Sequence, residues 1–409
     1  METKQVKDTS ITLTSFFMKC VGFWLASDEA QERRRIYALI YTTIAITIGV
    51  TVEVRDFYYS WGNFTECIYL ACNILSLVMV LFKILVLFIS KEEFLNLLRY
   101  MYKHFWNCEY AYHEQAILKD CKRVCTFFVC LLTFFSQETV CGYIARPIIE
   151  NIGKNESDRI LPFNMWLDLP LAMTPYFEIT FVIQVFSLYH VGLCYFCFDN
   201  FLCLTNFHIA VQFRLVQHRM TNLYMLSTNN EKVPDEDTDE DSNTMSIYCA
   251  EKCYVNFRSY VQQHQALIVF CKRVQVLFRM IVLGQVLTFS FLICCVGYQA
   301  LMADTPTTRR LIFISYILGG TLQLLMFTYS SDCLIRESTK VADAAYAGPW
   351  TRLPLSEHGR KLRKDLAFVI MQSNVPCCLS ACGFFSVSLE TFTAVLSTAI
   401  SYFTLLTGS

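Results

Sequence analysis

Seven long apolar runs divide this chain: Ile36–Val52, Cys67–Ile89, Val124–Ile144, Leu171–Phe198, Val274–Leu301, Leu311–Tyr329 and Ser380–Leu406. Each is near or above the ~20 residues that a helix needs to cross ~30 Å of hydrocarbon. Inside lipid every backbone N–H and C=O must find its partner within its own segment, so the runs are expected as helices. The fold class that follows is an all-α membrane protein with seven transmembrane helices.

The basic residues set the orientation. Of the 34 lysines and arginines, 26 fall before the first run or in the connections after the second, fourth and sixth. Among them are Arg33–Arg35, Lys119–Arg123, Lys272–Arg273 and Arg360–Lys364. The other connections hold only Arg55, Arg146, Lys154, Arg159, Arg309 and Arg310. Because positive loops stay inside, the N-terminus is expected in the cytoplasm and the C-terminus outside the cell, the reverse of a G-protein-coupled receptor. The two glycosylation sequons, Asn63-Phe64-Thr65 and Asn155-Glu156-Ser157, both fall in segments assigned to the outside, although such tripeptides also arise by chance in polar loops.

Composition narrows the class. With 54% hydrophobic residues, 15% aromatic residues and a formal charge of −1, the chain offers no basic field for nucleic acid and no sizeable soluble domain. Half of the 20 cysteines sit inside apolar runs, as Cys130, Cys194 and Cys295 do, and read as small packing residues; no metal or cofactor is expected. No cleavable signal peptide is expected either, since the first run starts after residue 35 and follows three arginines.

The connections on the basic side are long and helix-like. Lys91–Lys122 contains no Pro or Gly, and Phe94, Leu97, Leu98, Met101, Tyr102 and Phe105 form a stripe at helical spacing. Asp199–Leu226 and Ser246–Lys272 flank an acidic stretch, 229–243, expected to be disordered. Upstream, Phe16, Phe17, Cys20 and Trp24 fit a helix lying on the inner leaflet, and a frayed tail fits the same pattern. The expected organisation is a cytoplasmic N-terminal interfacial segment (1–35), a six-helix bundle with a ligand pocket and cytoplasmic extensions (36–331), a cytoplasmic anchor segment (332–379) and a seventh helix (380–409). The anchor is expected as a continued helix to Ala347, a break at Pro349 and Pro354, and a polar helix over Ser356–Met371.

The last third of the chain carries short motifs. Asp343-Ala344-Ala345-Tyr346 with Trp350, Arg363-Lys364-Asp365-Leu366, Met371-Gln372-Ser373 with Pro376, Phe384 through Phe392, and Ser401-Tyr402-Phe403-Thr404-Leu405-Leu406 together resemble the insect odorant receptor family. Topology and length agree over the whole chain; the motifs are confined to about the last seventy residues, with Ile400 standing where many relatives have an aromatic. The chain is unlike the family's longer shared co-receptor and is similar to its odorant-specific tuning subunits.

The resemblance implies an odorant-gated, non-selective cation channel, a heterotetramer with the co-receptor, in the plasma membrane of olfactory neuron dendrites. Thr391, Ala394, Thr398, Ser401 and Leu405 recur at spacings of three and four, a small hydroxylated stripe on the last helix. Such a face can line a wet pore. The same spacing lets helices pack closely in lipid. In relatives the gate is an aliphatic residue three positions past the motif's tyrosine, here Leu405.

A small volatile ligand is best held in an apolar pocket with one or two polar groups. The candidates, on the outer halves of the second, third, fourth and sixth runs, are Tyr69, Cys72, Ser76, Ser136, Thr139, Tyr143, Met173, Tyr176, Phe177, Phe313, Tyr316 and Ile317, with Gly319 and Gly320 leaving room for a floor. Lys83 and Arg279 are expected to snorkel, and Glu138 and Glu178 to accept hydrogen bonds from nearby hydroxyls. Nothing in the chain supports an enzyme, since HExxH and GxSG motifs are missing. A gustatory-type channel is the nearest alternative, with a metabotropic receptor and a transporter behind it.

Overall fold

The computed structural model describes residues 8–165, 170–228, 239–301, 307–351 and 353–408, and the described residues are almost wholly helical. In chain order the helices are α1 (Thr9–Val21), α2 (Glu29–Tyr59), α3 (Phe64–Ile89), α4 (Lys91–Met101), α5 (Tyr112–Glu150), α6 (Tyr176–Thr221), α7 (Leu223–Thr228), α8 (Asp239–Leu301), α9 (Thr307–Ala347), α10 (Glu357–Ser373) and α11 (Leu389–Gly408). Among them α2, α3, α5, α6, α8 and α9 are long and apolar enough to cross a membrane. The helix α11, with 20 residues, occupies the last part of the seventh run.

Helix α6 organises the rest. From Phe196 to Phe213 its residues are buried on every face, the mark of a helix enclosed by others rather than laid on a surface. It packs against α5, α9, α1, α8, α2 and α3. Helix α1 is not confined to a surface. Asp8 caps it by accepting the Ser10 N–H at 3.1 Å, Phe17 meets Phe196 edge-on at 5.0 Å, and Met18 and Val21 are fully buried.

The long connections are helical as expected, with one break that the sequence did not announce. After α4 a single π-turn, Tyr102–Trp106, leads into an extended stretch before α5. Tyr110 pins that stretch: its hydroxyl donates to the Phe105 carbonyl at 2.9 Å and accepts from Gln212 Nε2 of α6 at 2.8 Å. Burial pushes the Tyr110 phenol up to about 12, so it stays a donor across the physiological range. Of the predicted stripe, Phe94, Leu97, Leu98, Met101 and Phe105 are buried and Tyr102 is exposed. Helix α8 already begins at Asp239, so the end of the acidic stretch is helical, while 229–238 lie outside the described residues.

The seventh run does not start as a helix. Residues 379–387 form a tight hairpin, with the Val387 N–H on the Leu379 carbonyl and the Ala381 N–H on the Phe385 carbonyl, both at 2.9 Å. Its turn needs two successive left-handed residues, supplied by Cys382 (φ 53°) and Gly383 (φ 86°). Before it, α10 is capped by Ser356 and buries Leu362, Leu366 and Val369 against α8 and α9, leaving Phe368 and Met371 exposed.

Lys83 corrects the snorkelling expectation. It is fully buried on α3, and its ammonium bonds Asp199 of α6 at 2.8 and 2.9 Å. Gln323 Nε2 of α9 donates to the same carboxylate, so one ion pair ties three helices. A lysine reaches for solvent only when no counter-charge lies nearer, and Asp199, 116 residues away in sequence, lies nearer. Replacing Lys83 alone with Met should destabilise the fold by ~3–5 kcal/mol by stranding Asp199. The double change Lys83→Met with Asp199→Leu should recover most of that in thermal unfolding of detergent-solubilised protein, and a double variant no better than the single one would show that the pair's charge is not what binds these helices.

Candidate ligand cavity and pore face

Helices α2, α3, α5, α6 and α9 line a partly open cavity of about 150 Å³. Leu77 and Val80 of α3, Leu132, Phe135 and Val140 of α5, and Leu188 and Val191 of α6 give it apolar walls. Gly192 lets α5 approach α6, since a Cβ there would lie 2.5 Å from Val140 Cγ2. Gly319 and Gly320 of α9 line the cavity as expected, and a Cβ on Gly320 would meet nothing within 4 Å.

The roof is Phe163, from the connection between α5 and α6. Gln184 holds its backbone by a reciprocal pair of hydrogen bonds, each 3.0 Å, and its ring stacks on Tyr143 with centroids 6.2 Å apart. At the opposite end stand Tyr195 and Gln323. Gln323 is the residue that bonds Asp199, so the cavity ends on the buried ion pair.

Polar groups punctuate the wall. Ser76 and Tyr316 join their hydroxyls at 2.8 Å across α3 and α9. Tyr143 donates to Asn73 Oδ1 at 3.3 Å, and Asn73 Nδ2 lies 3.4 and 3.5 Å from the two oxygens of Glu53, which is only 5% exposed.

Five of the twelve predicted residues therefore line the cavity: Ser76, Ser136, Thr139, Tyr143 and Tyr316. Tyr69, Cys72 and Phe313 are buried in an adjoining cluster with Leu292 and Val296, and Ile317 packs against it. That cluster is closed by the Arg309–Glu66 ion pair, whose guanidinium lies 4.1 Å from the Tyr69 ring. Met173, Tyr176 and Phe177 are not brought to the cavity. Met173 and Tyr176 are exposed, and Phe177 stacks on Phe181 beneath the Arg159 guanidinium. Glu53, Asn73, Phe163, Tyr195 and Gln323 were missed. The run boundary at Val52 put Glu53 in a loop, whereas α2 continues to Tyr59 and turns Glu53 inward.

On α11, Val395 and Ala399 are buried while Ala394, Thr398 and Ser401 are exposed, so the small stripe faces away from the bundle. Thr391 locks the hairpin to the helix, accepting the Ser388 N–H at 3.2 Å and donating to the Ser386 carbonyl at 3.1 Å. The Leu405 side chain lies outside the described residues. Glu138 accepts from Ser315 at 2.9 Å and Glu178 from Thr174 at 3.0 Å, as anticipated. Both sequon asparagines are exposed; Asn63 also caps α3 through its Oδ1.

The sequence profile of the family described as 7tm Odorant receptor matches residues 63–400. The chain belongs to the insect odorant receptor family. It is similar to Odorant receptor 30a of Drosophila melanogaster, 24% identical over 99% of both chains. With Odorant receptor 13a of the same species it shares 35% identity over 36% of this chain and 37% of that receptor. Its fold is that of the insect olfactory receptor OR5 from Machilis hrabei in complex with eugenol, at a TM-score of 0.78, 13% identity and 97% coverage of both chains. As an odorant receptor with several membrane-length helices, the chain is a multi-pass membrane protein and not an enzyme.

The open volume over Gly320 provides a probe of the cavity. A Cβ there meets no neighbour, so Gly320→Leu should extend into the cavity, raising the half-maximal concentration of any cavity ligand at least ~10-fold while surface delivery is kept. Dose–response curves beside surface labelling check this, and an unshifted curve at normal delivery would place the ligand elsewhere.

Proposed function

We propose that this chain is an odorant-specific tuning subunit of a ligand-gated, non-selective cation channel in the plasma membrane of olfactory neurons. It crosses the membrane seven times, with the N-terminus in the cytoplasm and the C-terminus outside, and assembles as a heterotetramer with the odorant co-receptor. The observation that carries this reading is the pairing of a partly open, largely apolar cavity with a hydroxylated stripe on α11 that faces out of its own bundle. A cavity alone would suit any small-molecule binder; the outward stripe asks for neighbouring subunits to complete a pore.

A volatile ligand binds in the cavity through its hydrocarbon or aromatic surface. There it contacts α6 through Tyr195 and α9 through Gln323, and both helices run on beyond the cavity past the buried ion pair. Differential affinity for the open arrangement of these helices then shifts the closed–open equilibrium. Along α11, Ala394, Thr398 and Ser401 line the conduction path, Thr391 holds its entrance and Leu405 closes its far end. The exposed faces of α10 meet other subunits in the anchor, and the basic-side segments lie in the cytoplasm. Asn63 and Asn155 are extracellular glycan sites. The OR5 structure with eugenol supports a small organic ligand for the shared fold.

Voltage-clamped cells expressing the chain with the insect odorant co-receptor should pass odorant-evoked current carried by Na⁺ and K⁺ alike, and cells expressing the chain alone should not. Surface-delivered protein that stays silent in both settings would overturn the channel reading. In the paired channel Leu405→Ser should raise the odorant-independent current several-fold, and a wild-type level of leak would remove Leu405 from the gate.

A further inference from the structure

We propose that Glu53 tunes this receptor to odorants carrying a hydrogen-bond donor, an alcohol, phenol or amine group on a compact apolar body; the inference rests on the cavity being the odorant site. Glu53 is the one carboxylate at the cavity wall among the described residues, and it is 95% enclosed, at 5% relative exposure. No lysine or arginine is bridged to it among the described residues. Among the described residues its hydrogen-bonding neighbour is the Asn73 amide, at 3.4 and 3.5 Å, the long limit of such contacts. A carboxyl group keeps acceptor lone pairs whether or not it is ionised, and one stretched amide leaves several of them unused.

Most of the hydroxyls around it have already committed their protons. Tyr143 has committed its proton to Asn73. Ser76 donates to the Cys72 carbonyl at 2.9 Å, which makes Tyr316 the donor in their 2.8 Å contact. Thr139 donates to the Phe135 carbonyl at 2.9 Å, and a Gln323 amide N–H goes to Asp199. Apart from Ser136 and Tyr195, the hydroxyls that line this cavity beside Glu53 therefore present lone pairs. An odorant O–H or N–H reaching Glu53 would meet a carboxyl oxygen with lone pairs to spare. Asp56, one turn further along α2, is occupied elsewhere, accepting from Asn164 at 3.2 Å. Buried acceptors that gain a partner only from the correct ligand are an effective basis for discrimination, because the wrong ligand leaves them desolvated and unpaired.

The test compares matched pairs that differ by one donor, phenol with anisole and hexanol with methyl pentyl ether, on cells expressing this chain with the co-receptor. The ratio of half-maximal concentrations is read for wild type, Glu53→Leu, Glu53→Gln and Gly320→Leu. Wild type should prefer the hydroxylated member by ~10–100-fold, Glu53→Leu should bring the ratio to within about threefold of unity, and Glu53→Gln, which keeps a carbonyl acceptor, should fall between. Should Glu53→Leu fail to reach the surface, Glu53→Gln carries the comparison. A ratio unchanged by either substitution overturns the inference, as does a wild-type channel opened only by volatiles without a donor. Gly320→Leu separates the two levels: if it blunts both members of a pair while the Glu53 variants keep the wild-type ratio, the cavity stands and the role of Glu53 falls. If Gly320→Leu shifts neither member, the cavity itself is not the odorant site.

Discussion

The Lys83–Asp199 pair is the constraint on which the arrangement of the bundle turns. Neither charge reaches solvent, and the Gln323 amide completes their coordination, so α3, α6 and α9 meet at one point. A buried ion pair is a poor source of net stability compared with an apolar contact of similar volume. Its value lies in exclusivity: a register shift of any of the three helices separates charges that cannot be solvated in place. The cavity rests on this fixed point, and its remaining walls can be soft and apolar because its end is not.

The sequence exposed the helices far better than their neighbours. Apolar runs and uninterrupted polar stretches were enough to place α3, α5, α6, α8, α9 and α10, because helix formation in such segments answers to local composition and period. They also pointed to α3, α5, α6 and α9 as cavity walls, and Ser76, Ser136, Thr139, Tyr143 and Tyr316 lie there. What stayed hidden depends on tertiary proximity. Lys83 and Asp199 are far apart in the chain, and nothing in either segment marks the other. Glu53 was hidden for a different reason: hydropathy ends a span at the first polar residues, whereas a helix end packed on neighbours can turn those residues inward. Met173, Tyr176 and Phe177 misled in the opposite sense, since aromatic density near a span says nothing about which side the rings face.

The C-terminal motifs, which carried the family resemblance, turn out to play two different parts. Val387 through its backbone and Thr391 through its hydroxyl belong to the hairpin and its junction with α11, held by bonds that set where the helix begins. Thr398 and Ser401 carry no such duty toward the hairpin and face outward. A stretch that looks like one motif is thus a joint followed by a surface. The joint fixes the azimuth of the helix, and the azimuth decides which side chains a neighbouring subunit would see.

The unbroken length of α6 has a mechanical meaning. Its 46 residues span ~69 Å at 1.5 Å per residue, and the stretch from Tyr195 to Thr221 makes an arm of ~40 Å below the cavity. A stiff arm of that length turns a tilt of ~3° at the cavity into ~2 Å of travel at its far end, as much as interface helices move in other switching proteins. A molecule of a few carbon atoms can push walls apart by only a fraction of an ångström. On this geometry the receptor has no need of a large rearrangement around its ligand, because the magnification is built into the longest side of the lever.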